Sequence, residues 1–204
     1  MEPLLPGSYY HIYNHANGSE NLFQNSSNYY FFLGKYQLYI LPVADTLAYC
    51  LMPNHFHFLV KIKTESEILK SMTGRIALKI KTGDYDQRLI SLYISKQFAK
   101  LFSSYTQSYN KLNERMGSMF IKNFKRKCAN EENYRRELIL YIHMNPVKSG
   151  LASHPSEWVY SSYNDLQSEN ISFLSRSEVV DLFGSIEELN IELFQSRRLW
   201  KSSK

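Results

Sequence analysis

His55-Phe-His57 places two imidazoles two residues apart within the run His55-Phe-His-Phe-Leu-Val60. Strand alternation sends both rings to one face of a sheet and Phe56, Phe58 and Val60 to the other. Two imidazoles so placed can share one divalent ion, although the tripeptide alone fits two part-exposed strand histidines better. A second group is Tyr141-Ile-His-Met-Asn145. Residues four apart share a helix face, so Tyr141 would offer a nucleophilic phenol and Asn145 an amide oxygen to the same neighbour. Leu138 and Ile142 beside them predict that this stripe packs on the sheet, and a core tyrosine with a satisfied hydroxyl fits the same pattern. Tyr109 and Asn113 repeat the spacing, with Tyr105 one turn earlier. Spacing therefore does not choose among Tyr141, Tyr109 and Tyr105.

Other chemistries find less support. His11, His15, His143 and His154 have no ligand-like spacing with the histidine pair, whereas a hydrolytic zinc site would need further His or Asp ligands. Gly34-Lys35 is the nearest approach to a phosphate loop, but Tyr29 stands where its first glycine belongs and Tyr36 where Ser or Thr should follow. Cys50 and Cys128 form neither a disulfide framework nor a CxxC pair, so a reducing cytosol is the expected setting. The first residues lack a basic segment followed by an apolar one, and Pro42 and Asp45 break the longest apolar stretch. We expect neither export nor membrane spanning.

Twenty-four basic against 19 acidic residues give a net charge of +5, which favours a polyanionic partner. The cations gather at Lys122, Lys125, Arg126, Lys127, Arg135 and Arg136, with Phe120 and Phe124 interleaved. Phosphate-tracking cations plus stacking rings are what a single-stranded DNA groove requires. Five neutralised phosphates would give a salt slope of about −3.5 in a double-logarithmic plot.

The elements that must position these groups follow from pattern. With 204 residues, 44% of them hydrophobic, the chain can bury one core and carry appendages. Tyr9 to Tyr13 reads as a strand followed by the turn residues Asn14 to Gly18. A helix over Tyr29 to Leu38 should end before Pro42. Ala44 to Met52 and Phe56 to Lys63 flank Pro53-Asn54 as two antiparallel strands. The polar stretch of about 65–88 looks like an insertion before a long helix from Leu89 to Asn113. Gly117 to Lys127 reads as strand-like, and a helix over roughly 131–144 should be ended by Pro146. A short helix is predicted around Ser177 to Phe183. The order β, α, β-hairpin, α, β, α implies an α+β fold, an antiparallel sheet with helices packed on one face in a ferredoxin-like arrangement. We divide the chain into a domain over 1–165 and a helical tail over 166–204.

Four segments in order carry a resemblance: Leu51-Met-Pro-Asn-His-Phe-His-Phe-Leu-Val60; Gly117-Ser-Met-Phe with Asn123-Phe-Lys-Arg126; Tyr141-Ile-His-Met-Asn-Pro-Val-Lys-Ser-Gly-Leu151; and Trp158 with Ser161-Ser-Tyr163. Together they resemble the REP-associated tyrosine transposases, which are single-tyrosine HUH transposases, over roughly residues 8–165. The resemblance implies the HUH endonuclease fold and assigns metal ligation to His55, His57 and, more weakly, Asn145. It assigns nucleophilic attack on DNA to Tyr141. It further implies a magnesium or manganese ion, a single-stranded or hairpin DNA substrate, a homodimer, and strand cleavage and rejoining through a 5′-phosphotyrosine. The rival expectation is a DNA-hairpin-binding or regulatory protein that keeps the fold without cutting. Residues 65–88 and those beyond about 167 depart from the family pattern, which leaves DNA recognition less defined than the chemistry.

Overall fold

A computed structural model describes residues 2–81, 86–169 and 172–201. Four strands form one antiparallel sheet: β1 (Tyr9–His15), β2 (Ala44–Met52), β3 (His55–Ile62) and β4 (Lys125–Cys128), in the order β2-β3-β1-β4. Together with the helices α1 (Ser26–Ile40), between β1 and β2, and α4 (Gln87–Leu112), ahead of β4, this is the expected ferredoxin-like order. The stretch read as an insertion contains α2 (Glu65–Ser71) and α3 (Gly74–Lys81), and its residues 82–85 lie outside the described residues. After β4 come α5 (Glu132–Lys148), α6 (Tyr163–Gln167), α7 (Arg176–Phe183) and α8 (Ile186–Lys201).

Side-chain alternation divides the apolar residues between the two faces of the sheet. Tyr10 and Ile12 of β1, Tyr49 and Leu51 of β2, and Phe56, Phe58 and Val60 of β3 join Phe32 and Tyr36 of α1 and Phe98 of α4 in one core. Tyr36 stacks on Phe58 with centroids 4.2 Å apart, and its hydroxyl reaches Thr46 Oγ1 at 2.7 Å. Asn25 starts α1 by accepting from the Asn28 N–H at 3.2 Å. On the opposite face Ala48, Cys50 and Met52 of β2 and Leu59 of β3 meet Leu138 and Ile142 of α5, Val179 and Phe183 of α7, and Leu189 and Leu193 of α8. The second face is thus shared: helices cover its β2 side, and the histidine side stays open. An irregularity between Thr46 and Ala48 lets Leu47 and Ala48 both enter this second core.

Three local readings change. β1 continues through Asn14 and His15, because Asn14 pairs with Phe56 and His15 with His55, and the Asn14 amide donates to the Ile121 carbonyl at 3.1 Å. The basic segment is a strand only from Lys125, since Asn123 adopts a positive φ of 66° that interrupts extension. Pro146 does not end α5, which runs to Lys148. Proline there removes one N–H from the final turn alone, and Gly150, at φ 72°, then closes the helix with Leu151 N–H on the Pro146 carbonyl at 2.9 Å.

Two polar ties fix α5 and the outer edge of β2. Ser162 Oγ donates to the Tyr49 carbonyl and accepts from the Tyr49 N–H at 2.8 Å, so its remaining lone pair takes the Nε2–H of fully buried His143 at 2.8 Å. Burial alone pushes His143 down to about 3. The Trp158 indole donates to the Leu51 carbonyl at 2.9 Å, so the free edge of β2 is covered by residues 158–162.

Candidate active site

His55 and His57 project from β3 into a cleft of about 450 Å³ that Tyr141 also lines. Helix α5 lies across β2 and β3 and carries Tyr141 and Asn145 on the face turned to the pair. His55 Nε2 stands 3.3 Å from Asn145 Oδ1, and the rings of His57 and Tyr141 meet edge to face at 5.3 Å. Lys148 Nζ lies 4.8 Å from the Tyr141 ring centroid. Burial raises the Tyr141 phenol, and a hydrogen bond to Asn145 opposes that rise. Tyr105 and Tyr109 occupy the other side of the sheet: both belong to the first core, and Tyr105 donates to the Leu22 carbonyl at 2.6 Å. Of the three tyrosines with equivalent spacing, the fold brings Tyr141 alone to the histidines.

The pair does not stand alone. Antiparallel pairing sets His15 opposite His55 and Tyr13 opposite His57, and the rings of His15 and His55 stack at 4.7 Å. His11 Nε2 lies 2.9 Å from His57 Nδ1, with both side chains buried. Sequence spacing gave no reason to link His11 and His15 with the pair, and the structure corrects that reading. The signal was the two-residue period His11, Tyr13, His15, but its meaning depends on the β1–β3 register, which a single strand does not reveal. Tyr134 and Glu137 of α5 line the same cleft and were also missed.

The donor set suits a divalent ion. A neutral His55 has one N–H for two acceptors, Asn54 Oδ1 at 2.7 Å from Nδ1 and Asn145 Oδ1 at 3.3 Å from Nε2; with the proton toward the nearer Asn54, Nε2 is a lone pair facing the Asn145 oxygen. Burial holds His55 below its usual value, and burial with His11 nearby holds His57 lower still. Neutral imidazoles are the ligating form. In that tautomer the two electron pairs 3.3 Å apart repel each other, and a divalent cation between them would remove the repulsion. Among the described residues no three His, Cys, Asp or Glu side chains form a metal-ligand group. An ion here would use the Asn145 amide and leave positions open for substrate oxygens.

The cations separate. In β4, Lys125 and Lys127 pair with Tyr13 and His11 and so share the histidine face, where Lys127 Nζ sits 4.3 Å from the Tyr134 ring centroid. Arg126 pairs with Ile12 and points the other way, donating to Ser95 Oγ at 2.9 Å over the Phe124 ring. Lys122 is exposed beside a groove shared with Arg126. Arg135 lies over Tyr9 and donates to the Asn130 carbonyl. Arg136 is turned to α7 and α8, ion-paired with Glu192, donating to the Leu182 carbonyl and lying over Phe183. Phe120 and Phe124, expected as stacking rings, are buried in the first core. Arg136→Ala is therefore expected to cost about 1–2 kcal/mol of stability in denaturant unfolding.

The fold is that of an α+β protein with an antiparallel sheet whose open face carries the histidine pair. Among solved structures, a REP-associated tyrosine transposase bound to a REP hairpin aligns with a TM-score of 0.56 at 16% identity, covering 85% of this chain and 87% of that one. The likeness is one of fold. No protein-family model matches the sequence, and no curated protein does. No helix among the described residues is long and apolar enough to cross a membrane.

Proposed function

We propose that the protein cleaves and rejoins single-stranded or hairpin DNA through a 5′-phosphotyrosine on Tyr141. The observation that carries this reading is the convergence of Tyr141 and Asn145 from α5 on His55 and His57 of β3, with Asn145 Oδ1 3.3 Å from His55 Nε2. The fold shared with a transposase bound to a REP hairpin supports DNA as the polymer.

Tyr141 Oη attacks the scissile phosphorus as its P–O3′ bond breaks. The phenolic proton passes to solvent water, and water returns one proton to the departing 3′ oxygen. One phosphodiester replaces another, so rejoining by the 3′-hydroxyl needs no nucleoside triphosphate. Asn145 hydrogen-bonds the phenol and favours its ionised form. Glu137 lines the same cleft one helical turn before Tyr141. A magnesium or manganese ion held by His55, His57 and Asn145 would supply positive charge to the phosphate in the transition state.

Lys125 and Lys127 flank the cleft and Lys122 lies beyond it, so fewer phosphates are contacted than composition suggests. The salt slope of single-strand binding is expected near −2, and Lys125→Gln and Lys127→Gln should each flatten it by about 0.7, read from fluorescence anisotropy titrations at graded salt. The deciding experiment for the function incubates the protein with manganese and end-labelled hairpins from around its gene, then separates products on denaturing gels. A labelled band that migrates with protein and disappears on protease treatment supports cutting. Salt-sensitive binding with intact DNA would replace this reading by that of a non-cutting hairpin-binding protein. The homodimer and the cytosolic setting belong to the same proposal.

A further inference from the structure

We infer that His11 is a positioning residue that sets the tautomer of His57 and thereby makes its Nε2 available as a ligand; the inference rests on the metal-assisted reading above. His11 Nε2 and His57 Nδ1 are 2.9 Å apart with both residues buried, so one proton lies between two neutral rings. If His57 Nδ1–H donates, His57 Nε2 is a bare lone pair on the cleft side. If His11 Nε2–H donates instead, His57 must carry its proton on Nε2 and presents an N–H that no cation accepts. Which state is adopted turns on whether His11 Nε2 accepts or donates, because His57 has no other partner at Nδ1 among the hydrogen bonds of the described residues.

The neighbours hold His11 in place for this task. Its ring stacks on Tyr13 at 4.5 Å and lies against His57 at 5.1 Å with 29° between planes. Strand pairing fixes the register: His11 lies opposite Leu59, two residues along β3 from His57, so the contact is the diagonal one between neighbouring strands. His55 has the equivalent support from Asn54, whose Oδ1 accepts from His55 Nδ1–H at 2.7 Å. Each proposed ligand histidine thus has a partner at Nδ1, which is how outer partners orient metal-binding imidazoles. Asn54 can only accept through its oxygen. A histidine acceptor can adopt either role, and the burial of both rings makes this contact decide the outcome.

Two measurements test the inference on the full chain. Long-range ¹⁵N–¹H correlation spectra of the metal-free protein should show His57 as the Nδ1–H tautomer in wild type and as the Nε2–H tautomer in His11→Phe, which keeps a ring but offers no acceptor. Manganese titration followed by electron paramagnetic resonance should show about 10–100-fold weaker binding in His11→Phe. His11→Gln, whose side-chain oxygen can accept, should recover most of that loss. Thermal unfolding of the metal-free variants separates a positioning effect from a folding defect. An Nε2–H tautomer at His57 in wild type, or wild-type manganese affinity in a folded His11→Phe protein, overturns the inference. Wild type that binds no manganese yet holds His57 as Nδ1–H would remove the metal from the proposed function while leaving the positioning role of His11 intact.

Discussion

Tyr141→Phe is expected to abolish the covalent protein–DNA adduct, lowering its formation by at least about a thousandfold, while hairpin binding stays within about twofold of wild type. The substitution removes one oxygen and keeps the ring that meets His57 edge to face at 5.3 Å and lies under Lys148 Nζ, so packing is preserved. Tyr13 is the informative control, because it lines the same cleft and stacks on His11. Among the described residues it has no amide partner comparable to Asn145, and Tyr13→Phe should leave the adduct intact. Tyr109→Phe, behind the sheet in the first core, should do the same. An adduct of undiminished yield in Tyr141→Phe would move the nucleophile to another residue.

The second large effect is expected at the histidines. His57→Asn removes a side chain that is 4% exposed and directed at the cleft, and His55→Ala removes the partner of Asn145. Loss of a metal's charge at a phosphoryl centre is worth several kcal/mol, about a thousandfold or more in rate. Both variants should therefore lose manganese binding and adduct formation together, and chelation of wild type should reproduce the loss, with recovery on adding manganese back. Adduct formation that survives chelation would leave Tyr141 as a nucleophile working without a metal. His55→Ala is the cleaner variant, since its side chain is only half-buried and its removal leaves a smaller void in the fold.

Much of this site could be read in the sequence because its parts obey local periods. The two-residue period of His55 and His57 and the four-residue period of Tyr141 and Asn145 each specify a face without knowledge of the fold. Pro53-Asn54 specified the hairpin that brings Met52 and His55 together. The parts that escaped depend on pairing between distant segments. His11 and His15 acquire meaning only when β1 lies antiparallel to β3, and Arg136 looks like any surface cation until Glu192, 56 residues later, closes on it. The cation cluster misled for a related reason: strand alternation sends Arg126 away from Lys125 and Lys127, and the strand itself was misjudged by the kink at Asn123. Pro146 misled through position, since a proline in the last turn of a helix removes little.

The division of apolar residues between two sides of the sheet has a consequence for motion. His55 and His57 belong to a strand gripped by both cores, whereas Tyr141 and Asn145 ride on α5, whose anchoring is through the second core with α7 and α8. The two halves of the site are therefore expected to sit on units of unequal local stability. Amides of α5, α7 and α8 should exchange with deuterium as one cooperative group ahead of those in β1 and β3, and departure of that group would separate the tyrosine from the histidines while the sheet stays folded. Residues as remote as Leu189 and Leu193 would then tune how often the site is assembled, without touching any atom that reacts.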